Sequence, residues 1–158
     1  GAGKNLFKKF KFKNIYQSTS AYDVSSHRHL AEIDQQLKKI SKNKIEVQFT
    51  PHLSPMFRGI LSTIYVNLNK NITARKIYKC LKKYYKNKHF IKFAKFNTPI
   101  GTGEIMHTNF CKISVCNDRM KNKAIILSAI DNLLKGGSGQ AMQNMNLLCG
   151  FNEQMGFK

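Results

Sequence analysis

The segment from residue 60 to residue 68 constrains the fold more than any other feature of the sequence, because every second position in it is largely apolar. This pattern predicts a strand over the whole segment. The positions that share one face of this strand are Ile60, Ser62, Ile64, Val66 and Leu68. Residues 69–71 should then turn the chain, and Thr73 is a good cap for a helix. The helical stripe that follows, with lysines opposite, consists of Ala74, Ile77, Tyr78, Leu81 and Tyr85. The centre of the chain is therefore a strand followed by an amphipathic helix.

Further segments on either side complete the predicted fold. Periodicity predicts strands at 44–50, 89–96, 108–117 and 123–130, with a hairpin connection at 117–122. It predicts helices at about 29–41 and 140–148. This order indicates an α+β domain that contains a mixed, largely antiparallel sheet with helices packed on one face.

Two histidines and an arginine stand just ahead of the first predicted helix. They are His27, Arg28 and His29, and Ser25 and Ser26 before them are candidates for the helix N-cap. Free N–H groups at a helix start attract anions and favour the neutral form of a nearby imidazole. Because a neutral imidazole accepts protons near pH 7, the cluster predicts an acid–base site.

Two other interpretations of the histidine pair stay open. Histidines two residues apart can ligate a metal from a strand, although at a helix start they diverge, and no Cys, His or carboxylate stands nearby at ligand spacing. Surface histidines also often do no more than cap or hydrogen-bond a turn. Neither alternative requires acid–base catalysis at this position.

The charge of the chain raises a further class of partner. The net charge is +19, from 27 Lys and Arg against 8 Asp and Glu, which is typical of proteins that bind nucleic acid or other polyanions. The basic residues are mostly lysine, however, and they are spread through a sequence rich in asparagine and isoleucine, as a strongly AT-biased genome would produce. Nucleic acid is therefore the alternative partner and not the leading one.

Length and cysteine content place the chain in a broad class. Its 158 residues are enough for a domain with a proper core, and no apolar run approaches the ~20 residues of a membrane span. The four cysteines form no CxxC pair and predict reduced thiols in a cytoplasmic protein. The first residue is glycine and no signal pattern precedes it, so we expect a piece of a longer chain, or a processed one.

Five motifs, in this order, resemble the C-terminal half of N-acetyl-gamma-glutamyl-phosphate reductase, a relative of aspartate-semialdehyde dehydrogenase. They are Gly1-Ala2-Gly3; His27-Arg28-His29 with Glu32-Ile33; Phe49-Thr50-Pro51-His52-Leu53 with Pro55-Met56 and Arg58-Gly59-Ile60; Thr108-Asn109-Phe110-Cys111; and Asp131-Asn132-Leu133 with Lys135-Gly136, Gly139-Gln140-Ala141 and Gln143-Asn144. The resemblance runs across nearly the whole chain. It implies the C-terminal domain of a glyceraldehyde-phosphate or semialdehyde dehydrogenase, which supports catalysis and forms a homo-oligomer.

The resemblance also implies a reaction of arginine biosynthesis. Enzymes of this family use NADPH to reduce N-acetyl-gamma-glutamyl phosphate to the semialdehyde with release of phosphate, through a cysteine nucleophile and a histidine acid–base. His29 corresponds to that catalytic histidine. His27 and Arg28 would bind substrate, and Arg58 is a candidate ligand for its phosphate, with a salt bridge as the alternative.

The nucleophile and the dinucleotide fingerprint do not carry over. The family's cysteine lies in an Asn-Pro-Gly-Cys-Tyr-type turn before the part that matches Gly1, and no cysteine of this chain has that context. The glycine-rich fingerprint is also absent. The chain alone should therefore be an incomplete enzyme, and a non-catalytic basic module remains the alternative.

Supporting residues for the NADP cofactor do carry over by resemblance. They are Gly1, Ala2, Gly3, Asn132, Gln140 and Asn144, of which Asn132 alternatively caps a turn. We expect residues 1–137 to form the catalytic and dimerisation domain, and residues 138–158 to pack on the missing N-terminal NADP-binding half. One departure lies at Met106-His107, where the family usually has Arg-Gly.

Overall fold

The described structure consists of residues 16–41 and 45–157 of a computed structural model. Its contacts divide the chain into two compact units, Gly1–Phe57 and Arg58–Lys158. In chain order the elements are β1 (Ser20–Ala21), α1 (His29–Ile40), β2 (His52–Leu53), β3 (Ile60–Asn67), α2 (Ala74–Tyr84), β4 (Ile91–Phe93), β5 (Cys111–Asn117), β6 (Lys123–Ile130) and α3 (Gly139–Leu148).

The second unit contains a four-stranded sheet in the order β3-β6-β5-β4. β6 pairs antiparallel with β3 on one side and with β5 on the other, whereas β4 and β5 run parallel. The predicted mixed, largely antiparallel sheet is thus confirmed. β6 has the predicted bounds, while β4 and β5 begin two and three residues later than predicted because residues 89–90 and 108–110 lie outside the ladder. β3 is an edge strand, with Leu61 and Tyr65 47% and 68% exposed.

Helix α2 covers one face of this sheet, as its apolar stripe predicts. It begins where predicted, and the Thr73 hydroxyl accepts a hydrogen bond from the backbone N–H of Lys76 at 3.2 Å. Ala74 of the helix packs with Val115 and Ala124 of the sheet. The partly buried residues around them include Val66, Ile77, Tyr78, Leu81 and Ile126. Burial of this stripe, rather than helix propensity, is what stabilises a helix so rich in lysine.

The connection between β4 and β5 runs against the opposite face of β5. Ser114 and Lys112 alternate with Val115 along the strand and so point away from α2. The Ser114 hydroxyl donates to the carbonyl of Thr98, and the Lys112 ammonium forms an ion pair with Glu104. Ser114 is fully buried as a result. This connection therefore holds the segment that leads to Met106 and His107 against the sheet.

The first unit is smaller and differs from the sequence prediction at one element. β1 and β2 pair antiparallel, with Ser20 opposite Leu53 and Ala21 opposite His52. The strand predicted at 44–50 is wrong for the described residues 45–50, because the pairing with β1 begins only after Pro51. Alternation alone does not make a strand without a partner for its N–H and C=O groups. The predicted helix is confirmed as α1, none of whose residues is buried.

Two predictions of domain organisation lie beyond these observations. The boundary between residues 137 and 138, and the packing of the C-terminal segment on a missing half, stay predictions. Among the described residues, no helix is both long enough and apolar enough to span a membrane.

Candidate functional site

The start of α1 has a different cap from the one predicted. Arg28 occupies the N-cap position with a helical backbone and makes no capping hydrogen bond, so the prediction of Ser25 or Ser26 as the cap is wrong. The physical reason is a tight turn: Asp23 and Ser25 have φ of 45° and 58°, and the Ser26 N–H bonds the Asp23 carbonyl. The helix therefore begins after the serines.

An imidazole supplies the missing cap. His27 Nδ1 accepts a hydrogen bond from the backbone N–H of His29 at 3.2 Å, and the His27 carbonyl accepts from the N–H of Leu30. The His27 ring is 9% exposed and meets the Phe49 ring edge-on at 5.4 Å between centroids. Its Nδ1 is thus committed to the first turn of α1.

The surroundings of His27 favour its neutral form. Burial lowers the pKa of His27, and the neighbouring His29 and Arg28 lower it further, while Asp23 acts in the opposite sense. A neutral ring is also what the bond to His29 requires, because an imidazolium carries protons on both nitrogens. His29 and Arg28, in contrast, are exposed at the start of the helix. The pair therefore consists of one buried neutral imidazole and one that solvent reaches.

The second unit contains a separate polar cluster centred on Asp131, directly after β6. This carboxylate is fully buried. It accepts hydrogen bonds from the backbone N–H groups of His107 at 2.8 Å, Leu133 at 2.9 Å and Leu134 at 3.1 Å, and from Arg58 at 3.0 Å. Burial by itself raises the pKa of Asp131, but these hydrogen bonds outweigh burial and the pKa is lowered. Asp131 is therefore an ionised hub of this cluster.

Arg58 lies in an internal ion pair with this hub. Its guanidinium also donates to Nδ1 of His107 at 3.2 Å, and its side chain is 15% exposed. The salt-bridge alternative for Arg58 thus describes what the structure shows, and its role as a phosphate ligand stays a prediction. The sequence interpretation assigned no role to Asp131 or His107. An acidic residue at the end of a buried strand was an available signal for Asp131, whereas nothing local in the sequence indicates His107, which has a φ of 61°.

Gly59 and Asn132, the residues that follow Arg58 and Asp131, form a second hydrogen bond beside the ion pair. The side-chain oxygen of Asn132 accepts a hydrogen bond from the Gly59 N–H at 2.6 Å. Gly59 has a φ of 121°, and a Cβ added there would lie 2.7 Å from the Cβ of Thr102. A glycine is therefore required at this close approach. For Asn132 the structure shows a hydrogen bond that fixes the loop, and its predicted contact with a cofactor stays a prediction.

We expect Gly59→Ala to destabilise the folded chain by about 2 kcal/mol or more, since it combines a disfavoured φ with a collision. The matched control is Gly103→Ala, because a Cβ there meets no heavy atom within 4 Å. Denaturant unfolding of both variants beside the unchanged chain measures the difference. Equal midpoints for the two variants would contradict the expectation.

The remaining predicted residues lie on or near α3. Gln140 Nε2 donates to Asn144 Oδ1 at 2.8 Å, one helical turn apart on an exposed face. Lys135 donates to Gln143 at 2.7 Å, and Gln143 donates in turn to Glu153 at 3.2 Å. Burial lowers the pKa of Lys135, opposed by the nearby Cys111 and Glu153. Lys135 thus ties the loop to the C-terminal segment. Gly1, Ala2 and Gly3 lie outside the described residues.

Comparison with known proteins agrees with the fold and the motifs. The family model described as semialdehyde dehydrogenase, dimerisation domain, matches residues 1–132. N-acetyl-gamma-glutamyl-phosphate reductase of Staphylococcus aureus (strain MRSA252) is 42% identical over 158 residues, which are 100% of this chain and 46% of that protein. The enzyme of the same name from Thermoanaerobacter pseudethanolicus (strain ATCC 33223 / 39E) is 43% identical over 153 residues, which cover 97% and 44% of the two chains.

A solved structure shares the fold. Aspartate semialdehyde dehydrogenase II from Vibrio cholerae superimposes with a TM-score of 0.68 at 19% identity, covering 95% of this chain and 45% of that chain. The chain spans less than half the length of the curated relatives it matches, and it corresponds to their C-terminal part. The resemblance expected from the motifs is confirmed, and the chain belongs to the family of semialdehyde dehydrogenase dimerisation domains.

Proposed function

We propose that this chain is the C-terminal catalytic and dimerisation part of an enzyme that reduces N-acetyl-gamma-glutamyl phosphate to its semialdehyde with NADPH, releasing phosphate. The observation that carries the proposal is the identity of 42–43% with reductases of that name over 97–100% of the chain. The arrangement at the start of α1 supports it, because an exposed imidazole there lies beside a buried neutral one.

His29 is the proposed acid–base group. Its ring lies at the first residue of α1, where solvent and substrate can reach it, and imidazole exchanges protons near neutral pH. Its task would be to take the proton from the nucleophilic thiol, which must come from outside this chain. Arg28 is exposed beside it and is a proposed ligand for the anionic substrate.

Arg58 has a more indirect place in this proposal. Its guanidinium is engaged with Asp131 and His107, so it orders the loop that carries Asn132. A contact of Arg58 with the substrate phosphate stays a proposal that rests on the resemblance, since guanidinium groups suit phosphate oxygens. His27 was predicted to bind substrate as well, but its burial and its bond to His29 favour a different role, which is developed below.

The polar residues near α3 fit a nicotinamide carboxamide. A carboxamide needs one hydrogen-bond acceptor and one donor. The Gln140–Asn144 bond joins Nε2 of Gln140 to Oδ1 of Asn144, so the side-chain oxygen of Gln140 and the side-chain nitrogen of Asn144 are the acceptor and donor that complement a carboxamide. When bound, the cofactor supplies the hydride. In the proposal Asn132, Gln140 and Asn144 orient the nicotinamide end, and the upstream half holds the phosphates.

The C-terminal segment is the proposed contact with that upstream half. Its large apolar side chains are exposed, namely Met145, Leu147, Leu148, Phe151 and Met155, with Leu148 at 88%. The relatives are more than twice as long as this chain, so a covering domain is available in proteins of this kind. A homo-oligomer formed through the dimerisation domain, and a cytoplasmic location in keeping with the free thiols of Cys80, Cys111, Cys116 and Cys149, complete the proposal.

The full-length protein that contains this chain provides the test. We expect it to oxidise NADPH when N-acetyl-gamma-glutamyl phosphate is supplied, and to do so poorly with aspartyl phosphate, which lacks one methylene and the acetyl group. Turnover of neither acyl phosphate would reject the proposal. Retention of RNA or DNA by the chain at moderate salt, with a steep salt dependence, would favour the basic-module alternative instead.

A further inference from the structure

We propose that His27 is a positioning residue, which holds His29 at the start of α1 by accepting its backbone N–H, and that it does not bind substrate. This inference rests on the proposed role of His29 as the acid–base group. It also accounts for a cap that neither serine before the helix provides.

The hydrogen bond at the helix start carries the inference. The first N–H groups of a helix have no partner within the helix and need an acceptor from outside it. Arg28, at the N-cap position, offers no side-chain acceptor. His27 Nδ1 lies 3.2 Å from the N–H of His29 and fills that place. The backbone atom that is fixed belongs to the residue whose side chain is proposed to move protons.

The packing of the ring fixes its direction. The His27 ring contacts the rings of Tyr22, Phe49 and His29 in edge-on arrangements, with centroids 5.6, 5.4 and 4.7 Å away. Three contacts of this kind leave the imidazole little freedom to turn. Because the His29 ring is one of the three, His27 restrains both the backbone and the side chain of its neighbour.

The bond to His29 selects one protonation state. His27 can accept through Nδ1 only when it is neutral with its proton on Nε2. Among the described residues, the charged and titratable groups that face it are His29 and Arg28 on the helix side and Tyr22 and Asp23 on the turn, while Phe49 on the opposite segment adds none. Burial and the two basic neighbours act against the imidazolium, and only Asp23 favours it. The cap is therefore present at neutral pH.

Two substitutions separate this role from that of a substrate ligand. His27→Phe keeps an aromatic ring in the pocket and removes the acceptor. His27→Asn places an amide oxygen where Nδ1 stands, and asparagine is among the best capping residues. A positioning role predicts that the asparagine variant keeps the function and the phenylalanine variant loses it, whereas a ligand that acts through Nε2 would be lost in both.

The first measurement needs no activity. In a long-range 1H–15N spectrum of the 158-residue chain at pH 7, Nδ1 of His27 should be unprotonated and Nε2 protonated, and the His29 amide signal should shift as His27 titrates. In His27→Phe the part of that amide shift which follows the ionisation of His27 disappears. A protonated Nδ1, or a His29 amide that ignores the ionisation of His27, would overturn the inference whether or not the protein is a reductase.

The second measurement uses the full-length enzyme. Since a misplaced reacting group loses about tenfold or more in rate, His27→Phe should lower kcat by about that factor with KM unchanged, and His27→Asn should stay within about threefold of the parent. A raised KM in both variants would show a substrate ligand and refute positioning. If the spectra agree but the parent enzyme does not turn over, the proposed function fails and the capping role of His27 stands.

Discussion

Replacing His29 by alanine in the full-length enzyme is expected to lower kcat by about 10²- to 10⁴-fold, the usual contribution of a general acid–base group. The imidazole stands exposed at the first residue of α1, so its removal leaves the backbone hydrogen bond to His27 intact. The substitution does remove one of the three ring contacts of His27, but those with Tyr22 and Phe49 remain, so we expect the loss to be mainly chemical. Steady-state NADPH oxidation measures it, with circular dichroism as a check that α1 is retained.

Lys39→Ala is the matched control for this variant, because it also truncates an exposed side chain of α1, in the last turn of the helix. It should leave kcat within about twofold, as surface substitutions usually do. A loss of less than tenfold in His29→Ala, about 1.4 kcal/mol in barrier height, would mean that another residue moves the proton.

Replacing Asp131 by alanine is expected to destabilise the chain by about 3–5 kcal/mol. The substitution removes the acceptor for three backbone N–H groups and leaves the guanidinium of Arg58, 15% exposed, without its carboxylate. Buried backbone donors left without an acceptor, together with the loss of a partly buried ion pair, are among the more costly changes that one mutation makes. Denaturant unfolding at pH 7 gives the difference in free energy.

Glu104→Gln is the control for Asp131→Ala. It breaks an ion pair between Glu104, which is 47% exposed, and Lys112, and solvent screens such exposed pairs, so we expect a much smaller change than for Asp131→Ala. The pH dependence adds a second readout. Because the folded pKa of Asp131 is lowered, its stabilisation is present above the unfolded value of about 3.9 and is lost as the pH falls through the folded pKa. If the unfolding free energy of Asp131→Ala falls at acid pH as steeply as that of the parent, Asp131 is not the group whose protonation destabilises the parent.

The sequence pattern predicted the elements that are marked by signals within their own segment. α2 was predictable because Thr73 supplies a cap and one stripe of the helix is apolar, and β6 because it is a short, largely apolar segment that directly follows the predicted hairpin connection at 117–122. The strand at 44–50 failed since alternation cannot say whether a neighbouring strand is available. The prediction of a serine cap for α1 was wrong because the imidazole of His27 accepts the hydrogen bond that a serine side chain normally accepts.

The candidate site was predictable to the extent that it is local in sequence. His27 and His29 stand two residues apart, which predicts neighbouring positions at a helix start, but their rings were expected to diverge there. The structure shows instead that the ring centroids are 4.7 Å apart and that the His27 ring is the buried one. The Asp131 cluster draws its donors from residues 58, 107, 133 and 134. Nothing in one sequence joins those segments, because the sheet pairing that brings them together is long-range.

The position of β3 at the edge of the sheet affects how this chain is made. Among the described strands β3 pairs only with β6, and β6 is the last of these strands to leave the ribosome. Until then the backbone of β3, with Leu61 and Tyr65, lacks the strand with which it pairs in the folded domain. While the backbone N–H and C=O groups of β3 are unpaired during synthesis, they can pair with strands of other chains. Synthesis of this domain should therefore depend on chaperones more than its size suggests, and a premature stop within the β5–β6 hairpin should yield an aggregating product.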